Sequence, residues 1–231
     1  MITLRKSQER GRASYRWLDS YHTFSFANYY DPQYMGFKNL RVINDDRVIG
    51  GAGFGTHPHR DMEIISYIVE GALEHRDSMG NSSVIQAGEV QRMSAGTGVT
   101  HSEYNHSEND EVRFLQIWIP PTQKGLDPSY EQRQYSEAEK RGAFRLIVSP
   151  DGRDESVSIH QNVYLYSTIL KAGETLTHSL SPNFDSWVQV VKGEMTLNEI
   201  EMYSGDGAAI ENETQLELIA QQDTEVLLFE L

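Results

Sequence analysis

Two short polar stretches, His57-Pro58-His59 and His101-Ser102-Glu103, lie about forty residues apart, and a glycine-rich run precedes each of them. Side chains two residues apart in a β-strand point to the same face, so each stretch presents a pair of polar side chains together. If the two strands are neighbours, that face carries three imidazoles and one carboxylate. Because such donors bind divalent transition metals, the sequence predicts a metal site here.

Two alternatives remain open for these residues. The first is a hydrogen-bonded polar cluster in the core that holds no metal. The second concerns Glu63, which follows His59 by four residues and would share a face with it in a regular strand. Glu63 could then bind the metal in place of Glu103. The tighter spacing of His101 and Glu103 favours Glu103, and Glu63 is expected to support the site or the fold.

Most of the remaining chain has β-strand patterns. Residues 114–119 form a clear apolar strand, and short apolar runs alternate with turn residues from residue 62 onwards. Short strands at regular spacing are typical of antiparallel sandwiches and barrels, so the sequence predicts an all-β fold. Residues 44–46, Asn-Asp-Asp, are expected to form a turn. Residues 22–26 alternate as a half-buried strand, whose aromatic neighbours are expected to pack on a barrel or line the mouth of a pocket.

The order of strand, glycine turn, strand and glycine turn occurs twice. Residues 67–71 resemble residues 189–193, and residues 87–89 resemble residues 204–206. Such a repeat indicates a duplicated domain, and 231 residues are enough for one large β domain or two small ones. The second copy contains His160 and His178 but neither His-x-His nor His-x-Glu, so we expect it to hold no metal.

Residues 121–155 are expected to connect the two copies. They are rich in proline and turn residues, and Ser136-Glu137-Ala138-Glu139 matches a capping box that would begin a short exposed helix, with Gly142 ending it. The predicted organisation is therefore an N-terminal domain at 1–120, a linker at 121–155 and a C-terminal domain at 156–231.

Composition limits the partners and the chemistry. The net charge of −14 disfavours direct binding to nucleic acid, and no apolar run is long enough to span a membrane. The absence of cysteine leaves only nitrogen and oxygen donors for a metal. No secretory signal is recognised at the N-terminus, so the cytoplasm is the expected location.

The five other histidines are expected to have structural roles. His75 lies in a strand beside Arg76 and Asp77 and is expected to form structural hydrogen bonds. His22 is expected to be buried, with a pocket-lining role as the alternative. His106 is expected in an exposed loop, and His160 and His178 on the surface or in the core.

The spacing of these residues resembles the two sequence motifs of the cupin superfamily. The matching residues are Gly51, His57, His59, Glu63 and Gly71 for the first motif, and Gly88, Gly96, His101 and Asn105 for the second. Two gaps, Glu63 to Gly71 and Gly96 to His101, are longer than in the general pattern. The chain resembles the pirin family across nearly its whole length. The similar features are these two longer gaps, His57-Pro58-His59-Arg60, Ser94 to Gly98 and the run from Trp17 to Pro32.

This resemblance implies a bicupin, two jelly-roll-like antiparallel β-barrels with a metal in the first alone. It implies the ligands His57, His59, His101 and Glu103, and one divalent ion per chain, with Fe, Mn, Co, Ni, Cu and Zn all compatible with the donors. The activity implied is that of the bacterial quercetin 2,3-dioxygenases in the family, which open a flavonol with O2. In this hypothesis Glu103 is also catalytic and accepts the substrate's hydroxyl proton.

Two alternatives to this enzyme remain. One is a metal-containing regulatory or binding protein that acts through protein partners, as eukaryotic pirins do. The other is a cupin enzyme with the same ligands and a different small substrate. A monomer is expected in each case, with a small aromatic flavonol and O2 as the partners of the dioxygenase.

Overall fold

The computed structural model describes residues 1–231, and nearly all of its regular structure is β-strand. The strands of the first half are β1 (Ile2–Arg5), β2 (Gly11–Ser14), β3 (Leu18–His22), β4 (Val42–Val48), β5 (Gly53–His59), β6 (Glu63–Glu70), β7 (Ala72–Asp77), β8 (Ser82–Gln86), β9 (Glu89–Ser94), β10 (Val99–Asn105), β11 (Val112–Ile119) and β12 (Ser129–Gln134). Those of the second half are β13 (Arg145–Ser149), β14 (Val157–Ser158), β15 (Tyr164–Leu170), β16 (Thr175–Ser179), β17 (Ser186–Lys192), β18 (Glu194–Leu197), β19 (Ile200–Tyr203), β20 (Gly207–Ile210), β21 (Gln215–Ala220) and β22 (Thr224–Glu230). The single α-helix is α1 (Glu137–Lys140).

Each half contains one seven-stranded and one four-stranded sheet. In the first half the orders are β12-β9-β6-β11-β4-β3-β2 and β5-β10-β7-β8. In the second they are β1-β20-β17-β22-β15-β13-β14 and β16-β21-β18-β19. The pairings are antiparallel except for β13 with β14. The prediction of an all-β fold with two jelly-roll-like halves is confirmed.

The two halves repeat the same topology, which confirms the duplication. Gly71 between β6 and β7 has φ 76°, and Gly193 between β17 and β18 has φ 85°. A side chain at Gly193 would place its Cβ 2.4 Å from the Asp223 carbonyl oxygen, so glycine is required there. A Cβ at Gly71 would lie 3.0 Å from the Glu111 carbonyl oxygen, so this turn is also tight, although less so than the turn at Gly193.

The largest apolar cluster joins the halves. It contains 22 buried residues, among them Ile65, Tyr67 and Ile117 from the first seven-stranded sheet and Leu227 and Phe229 from the second. The central strands of both sheets are therefore buried on two faces, and β6 and β11 read as nearly continuous apolar runs rather than alternating ones. Neither half could be removed without exposing this surface.

Strands are exchanged across the expected domain boundaries. β1 pairs with β20 in the second half, whereas β12 pairs with β9 in the first. Residues 121–155 thus contribute β12 to one sheet and β13 to the other, in addition to connecting them. The capping box is present, since Ser136 accepts from the Glu139 N–H and Glu139 from the Ser136 N–H, but Lys140 at the end of the helix is buried rather than exposed.

Residues 44–46 lie in the middle of strand β4, so the expected turn is wrong. The carboxylate of Asp45 is held by Arg113, whose Nε and Nη2 donate hydrogen bonds of 2.9 Å. Because this pairing satisfies the charge inside the fold, polar residues that favour turns in isolation are tolerated in a strand.

The position of the strand predicted at residues 22–26 is also wrong, because β3 spans Leu18–His22 and ends where the predicted strand begins. None of the helices is long and apolar enough to cross a lipid bilayer.

Candidate metal centre

Strands β5 and β10 bring the two polar stretches together. In their antiparallel pairing His101 lies opposite His57, and Val99 lies opposite His59. Pro58 is exposed and β5 is the edge strand of its sheet, as proline requires. A bulge between His101 and Glu103 places Phe54 opposite Glu103. The three imidazoles consequently converge on one side of this sheet.

The imidazoles of His57, His59 and His101 form a compact triad. The ring centroids of His57 and His101 are 4.4 Å apart, and those of His59 and His101 are 4.9 Å apart. One ring nitrogen from each lies within 4.8 Å of the others. Trp118 packs edge-on against His59 at 5.0 Å between centroids and restricts its rotation. These separations suit nitrogens that surround a common ion.

The hydrogen bonds of the triad leave its nitrogens free for a metal. Nδ1 of His57 donates to the Gly55 carbonyl over 2.8 Å, so Nε2 carries the lone pair. His101 is 1% exposed, and neither of its ring nitrogens has a hydrogen-bond partner in the protein. A buried imidazole without partners is unfavourable unless another group satisfies it. The donor set therefore fits a divalent metal ion.

Burial and mutual proximity keep the imidazoles neutral. Burial, together with the neighbouring His101 and His57, lowers the pKa of His59 to about 4. Burial likewise lowers the pKa of His101 to about 3, with added effects from His57 and His75. Only the neutral imidazole has a lone pair to donate, so the site is prepared for metal at neutral pH.

Glu103 lies on the inner side of this triad. A carboxylate oxygen of Glu103 belongs to a second group, with His75 and His101, whose donor atoms also lie within 4.8 Å of one another. Its oxygens accept hydrogen bonds from Gln116 Nε2 at 2.9 Å and from Ser66 Oγ at 3.2 Å. These two donors orient the carboxylate toward His101. The four predicted ligands are thus gathered in two overlapping groups that share His101.

The sequence did not indicate that His75 would be next to this site. It lies opposite Glu103 in the pairing of β7 with β10, and its ring centroid is 5.3 Å from that of His101. Its Nε2 bonds Asp77 Oδ2 at 3.0 Å and its Nδ1 accepts from Gln91 Nε2 at 3.3 Å. Both nitrogens are thereby engaged, in agreement with the predicted hydrogen-bonding role.

Glu63 lies away from the triad. Its carboxylate is 1% exposed and accepts from Ser94 Oγ at 2.9 Å and from the backbone N–H of His160 at 3.3 Å. Nδ1 of His160 is 3.4 Å from the same oxygen. Glu63 therefore links the first half to the second, and neither donor group near His101 includes it.

A cavity of about 170 Å³ opens beside the triad. His57, His59 and Glu103 lie at its inner end, and Leu18, Phe26, Phe54 and Trp118 form apolar walls. The polar lining residues are Ser20, His22, Asn44, Asp46 and Gln116. A pocket-lining role was predicted for His22 only as an alternative, and for Asn44 and Asp46 it was not predicted. Burial raises the pKa of Asp46 to about 7, with further contributions from Asp45 and Glu103.

The second half has no equivalent constellation. Strands β16 and β21 occupy the places of β5 and β10, but His178 on β16 lies opposite Leu216 rather than another histidine. The interior between its sheets is filled by 14 buried apolar residues. His106, as expected, is exposed.

Comparison with known proteins identifies the family. The pirin family model matches residues 3–119, and the quercetinase C-terminal cupin domain matches residues 146–231. The chain belongs to the pirin family. A curated quercetin 2,3-dioxygenase from Escherichia coli K12 is 51% identical to this pirin chain, and the match covers 100% of the chain and 99% of the relative. A pirin-like protein from Caulobacter vibrioides is 38% identical over 99% of the chain and 98% of the relative.

Solved pirin structures agree with the fold. Bacterial pirin YhhW from Escherichia coli in complex with nickel(II) has a TM-score of 0.95 and 51% identity, covering 100% of this chain and 99% of that one. A second structure of YhhW has a TM-score of 0.96. The predicted family resemblance is confirmed, and the nickel complex supports a divalent metal in a chain of this type.

Proposed function

We propose that this pirin is a metal-dependent dioxygenase that opens the central ring of flavonols such as quercetin with O2 and releases carbon monoxide. The observation that carries this proposal is the buried His101, with two unpartnered ring nitrogens, packed against His57 and His59, which line an aromatic-walled cavity. The relative named quercetin 2,3-dioxygenase, 51% identical over the full chain, supports the substrate class.

The proposed ligands are His57, His59, His101 and Glu103, which hold one divalent ion per chain. When bound, the ion supplies Lewis acidity that favours the ionised form of the flavonol 3-hydroxyl. Fe, Mn, Co, Ni, Cu and Zn all suit three imidazoles and a carboxylate. The nickel complex of YhhW makes nickel one ion to include in any reconstitution.

The residues of the chain prepare the substrate for reaction. Phe26, Phe54 and Trp118 hold the flat aromatic rings and exclude water from the inner cavity. The Glu103 carboxylate accepts the proton of the 3-hydroxyl, and Gln116 and Ser66 keep it oriented toward the donor. Loss of this proton gives an electron-rich flavonolate that can react with O2.

Metal analysis combined with turnover tests the proposal. The apoprotein is reconstituted separately with each of the six ions, and quercetin loss, O2 uptake and carbon monoxide release are followed together. We expect equimolar quercetin and O2 consumption with at least one ion. Flavonol binding without O2 uptake for every ion would contradict the enzyme and favour the regulatory or binding protein.

We also propose that the chain is a cytoplasmic monomer with the domain division 1–120, 121–155 and 156–231, in which β1 joins a sheet of the C-terminal domain and β12 of the linker joins a sheet of the N-terminal domain. The large apolar surface between the two seven-stranded sheets is covered within one chain, which supports the monomer. Light scattering after size exclusion should give the mass of one chain, and a mass of two chains would contradict it.

A further inference from the structure

Four residues that line the cavity beside the triad each have a buried side-chain polar atom without a hydrogen-bond partner in the protein. These buried atoms are Nδ1 of His22, Oδ1 of Asn44, Oδ1 of Asp46 and Nε1 of Trp118. His22, Asn44 and Asp46 are 3%, 3% and 4% exposed. Four such atoms around one cavity form a concentration of unsatisfied hydrogen-bonding groups, which folded proteins otherwise avoid.

Strand pairing arranges three of these residues as a row that leads to Glu103. Asn44 lies opposite His22 on β3 and opposite Gln116 on β11. Asp46 follows Asn44 by two residues on β4 and so points to the same face. Gln116 in turn donates to the Glu103 carboxylate at 2.9 Å. The unpartnered atoms therefore have a fixed position relative to the proposed proton acceptor.

The chemistry of the row identifies what it would bind. Oδ1 of Asn44 is an acceptor, and Oδ1 of Asp46 is an acceptor when ionised, so each pairs with a hydroxyl donor. Indole Nε1 of Trp118 is a donor and pairs with a hydroxyl or carbonyl oxygen. Apolar walls with such convergent polar atoms match a flat aromatic ring that carries several hydroxyl groups.

We propose that Asn44, Asp46 and His22 bind ring hydroxyls of the substrate other than the 3-hydroxyl, and so select polyhydroxylated flavonols over flavonols without those groups. This inference rests on the proposed flavonol substrate. A site built to hydrogen-bond a hydroxyl discriminates strongly against an analogue that lacks it, because its buried polar atoms then remain unpaired.

The surrounding space accommodates a molecule of this size. The inner cavity of about 170 Å³ is smaller than the ~300 Å³ lower bound for sites of drug-sized ligands. A second cavity of about 350 Å³ shares Ala13, Tyr15, His22 and Ala27 with it. One ring system can therefore occupy the inner cavity while another extends past His22.

Binding to the zinc-loaded protein under anaerobic conditions tests the inference without turnover, because the proposed reaction consumes O2. Quercetin and 3-hydroxyflavone, which has the 3-hydroxyl alone, are titrated into the wild-type protein by calorimetry. We expect quercetin to bind on the order of 10- to 100-fold more tightly. In Asn44→Leu and Asp46→Leu, the affinity for quercetin should fall toward that for 3-hydroxyflavone, whose own affinity should be unchanged or higher.

A matched control separates recognition from a general effect of the substitution. Asp19→Leu places the same side chain on β3, but on its outward face, where Asp19 pairs with Arg12 at 2.8 Å. This variant should keep the wild-type ratio of the two affinities. Metal content and the unfolding midpoint are measured for all variants, so that a misfolded variant is recognised. If a leucine variant misfolds, the ratio of the two flavonol affinities in the wild-type protein still tests the inference.

The outcomes distinguish this inference from the proposed function. Equal affinities of the wild-type protein for the two flavonols, or a preference unaffected by both leucine variants, would overturn the inference even if quercetin is turned over. A preference for quercetin that both variants abolish would support it even if no metal form consumes O2, and in that case the dioxygenase proposal alone would fail.

Discussion

His101 lies directly opposite His57 in the antiparallel pairing of β5 and β10, and their ring centroids are 4.4 Å apart. This relationship joins the two polar stretches of the sequence into one centre. It also makes the metal centre sensitive to single substitutions, because each imidazole comes from a fixed strand position.

Removal of any proposed ligand should reduce metal affinity. We expect His57→Ala, His59→Ala, His101→Ala and Glu103→Ala each to weaken binding by on the order of 100-fold or more, since one of four donors is lost. Competition with a chromophoric chelator measures the affinity. His178→Ala, in the second half, is the control and should bind normally. Full metal content in His101→Ala would refute the proposed centre.

The two glutamates should respond differently to a neutral substitution. Glu103→Gln removes the charge beside His101 and should lower metal affinity and turnover. Glu63→Gln should keep the metal but weaken the contact with Ser94 and His160, at a cost of ~1–3 kcal/mol in the free energy of unfolding. Metal analysis and urea denaturation of both variants measure these effects. Loss of metal in Glu63→Gln alone would mean that Glu63 is the ligand.

The buried ion pair of Asp45 and Arg113 should make stability depend on pH in acid. Burial alone would raise the pKa of Asp45, but the hydrogen bonds and charge of Arg113, with Arg10, lower it below its ordinary value. A carboxyl with a lower pKa in the folded state stabilises the fold above its unfolded pKa of ~3.9, and this stabilisation is lost as the pH falls through the folded pKa.

Asp45→Asn should therefore cost about 3–5 kcal/mol of stability at pH 7, because the buried Arg113 loses its partner. The difference from the wild-type protein should shrink below about pH 4. Urea denaturation across the pH range measures it. Asp19→Asn, which affects an exposed pair with Arg12, should cost at most ~1 kcal/mol. If the difference in unfolding free energy between the wild-type protein and Asp45→Asn stays constant from pH 7 to pH 3, the lowered pKa of Asp45 would be contradicted.

The N-terminal half should not be stable without the C-terminal half. A fragment that ends at Pro120 contains every proposed ligand but lacks β12, the partner of β9, and exposes the apolar face that contacts Leu227 and Phe229. We expect it to be poorly soluble. The full chain should bind one metal ion. A soluble and fully active fragment, or two ions per chain, would be evidence against this division of roles.

Local patterns in the sequence were sufficient for several conclusions. Spacing of two residues decides which side chains share a face of a strand, so His57 and His59, and His101 and Glu103, could be paired in advance. Glycine turns after similar strands revealed the duplication that the sheets confirm. These inferences hold because each depends on backbone geometry over a few residues.

Contacts between distant strands were decided by the tertiary structure alone. The register of β10 with β7 places His75 opposite Glu103, and the pairing of β4 with β11 places Asn44 beside Gln116. The same structure draws Glu63 toward Ser94 and His160, and makes Asn44-Asp45-Asp46 a strand because Arg113 compensates the buried charge of Asp45. Strand register depends on the packing of whole sheets, and a local sequence pattern does not specify which other strand will lie beside it.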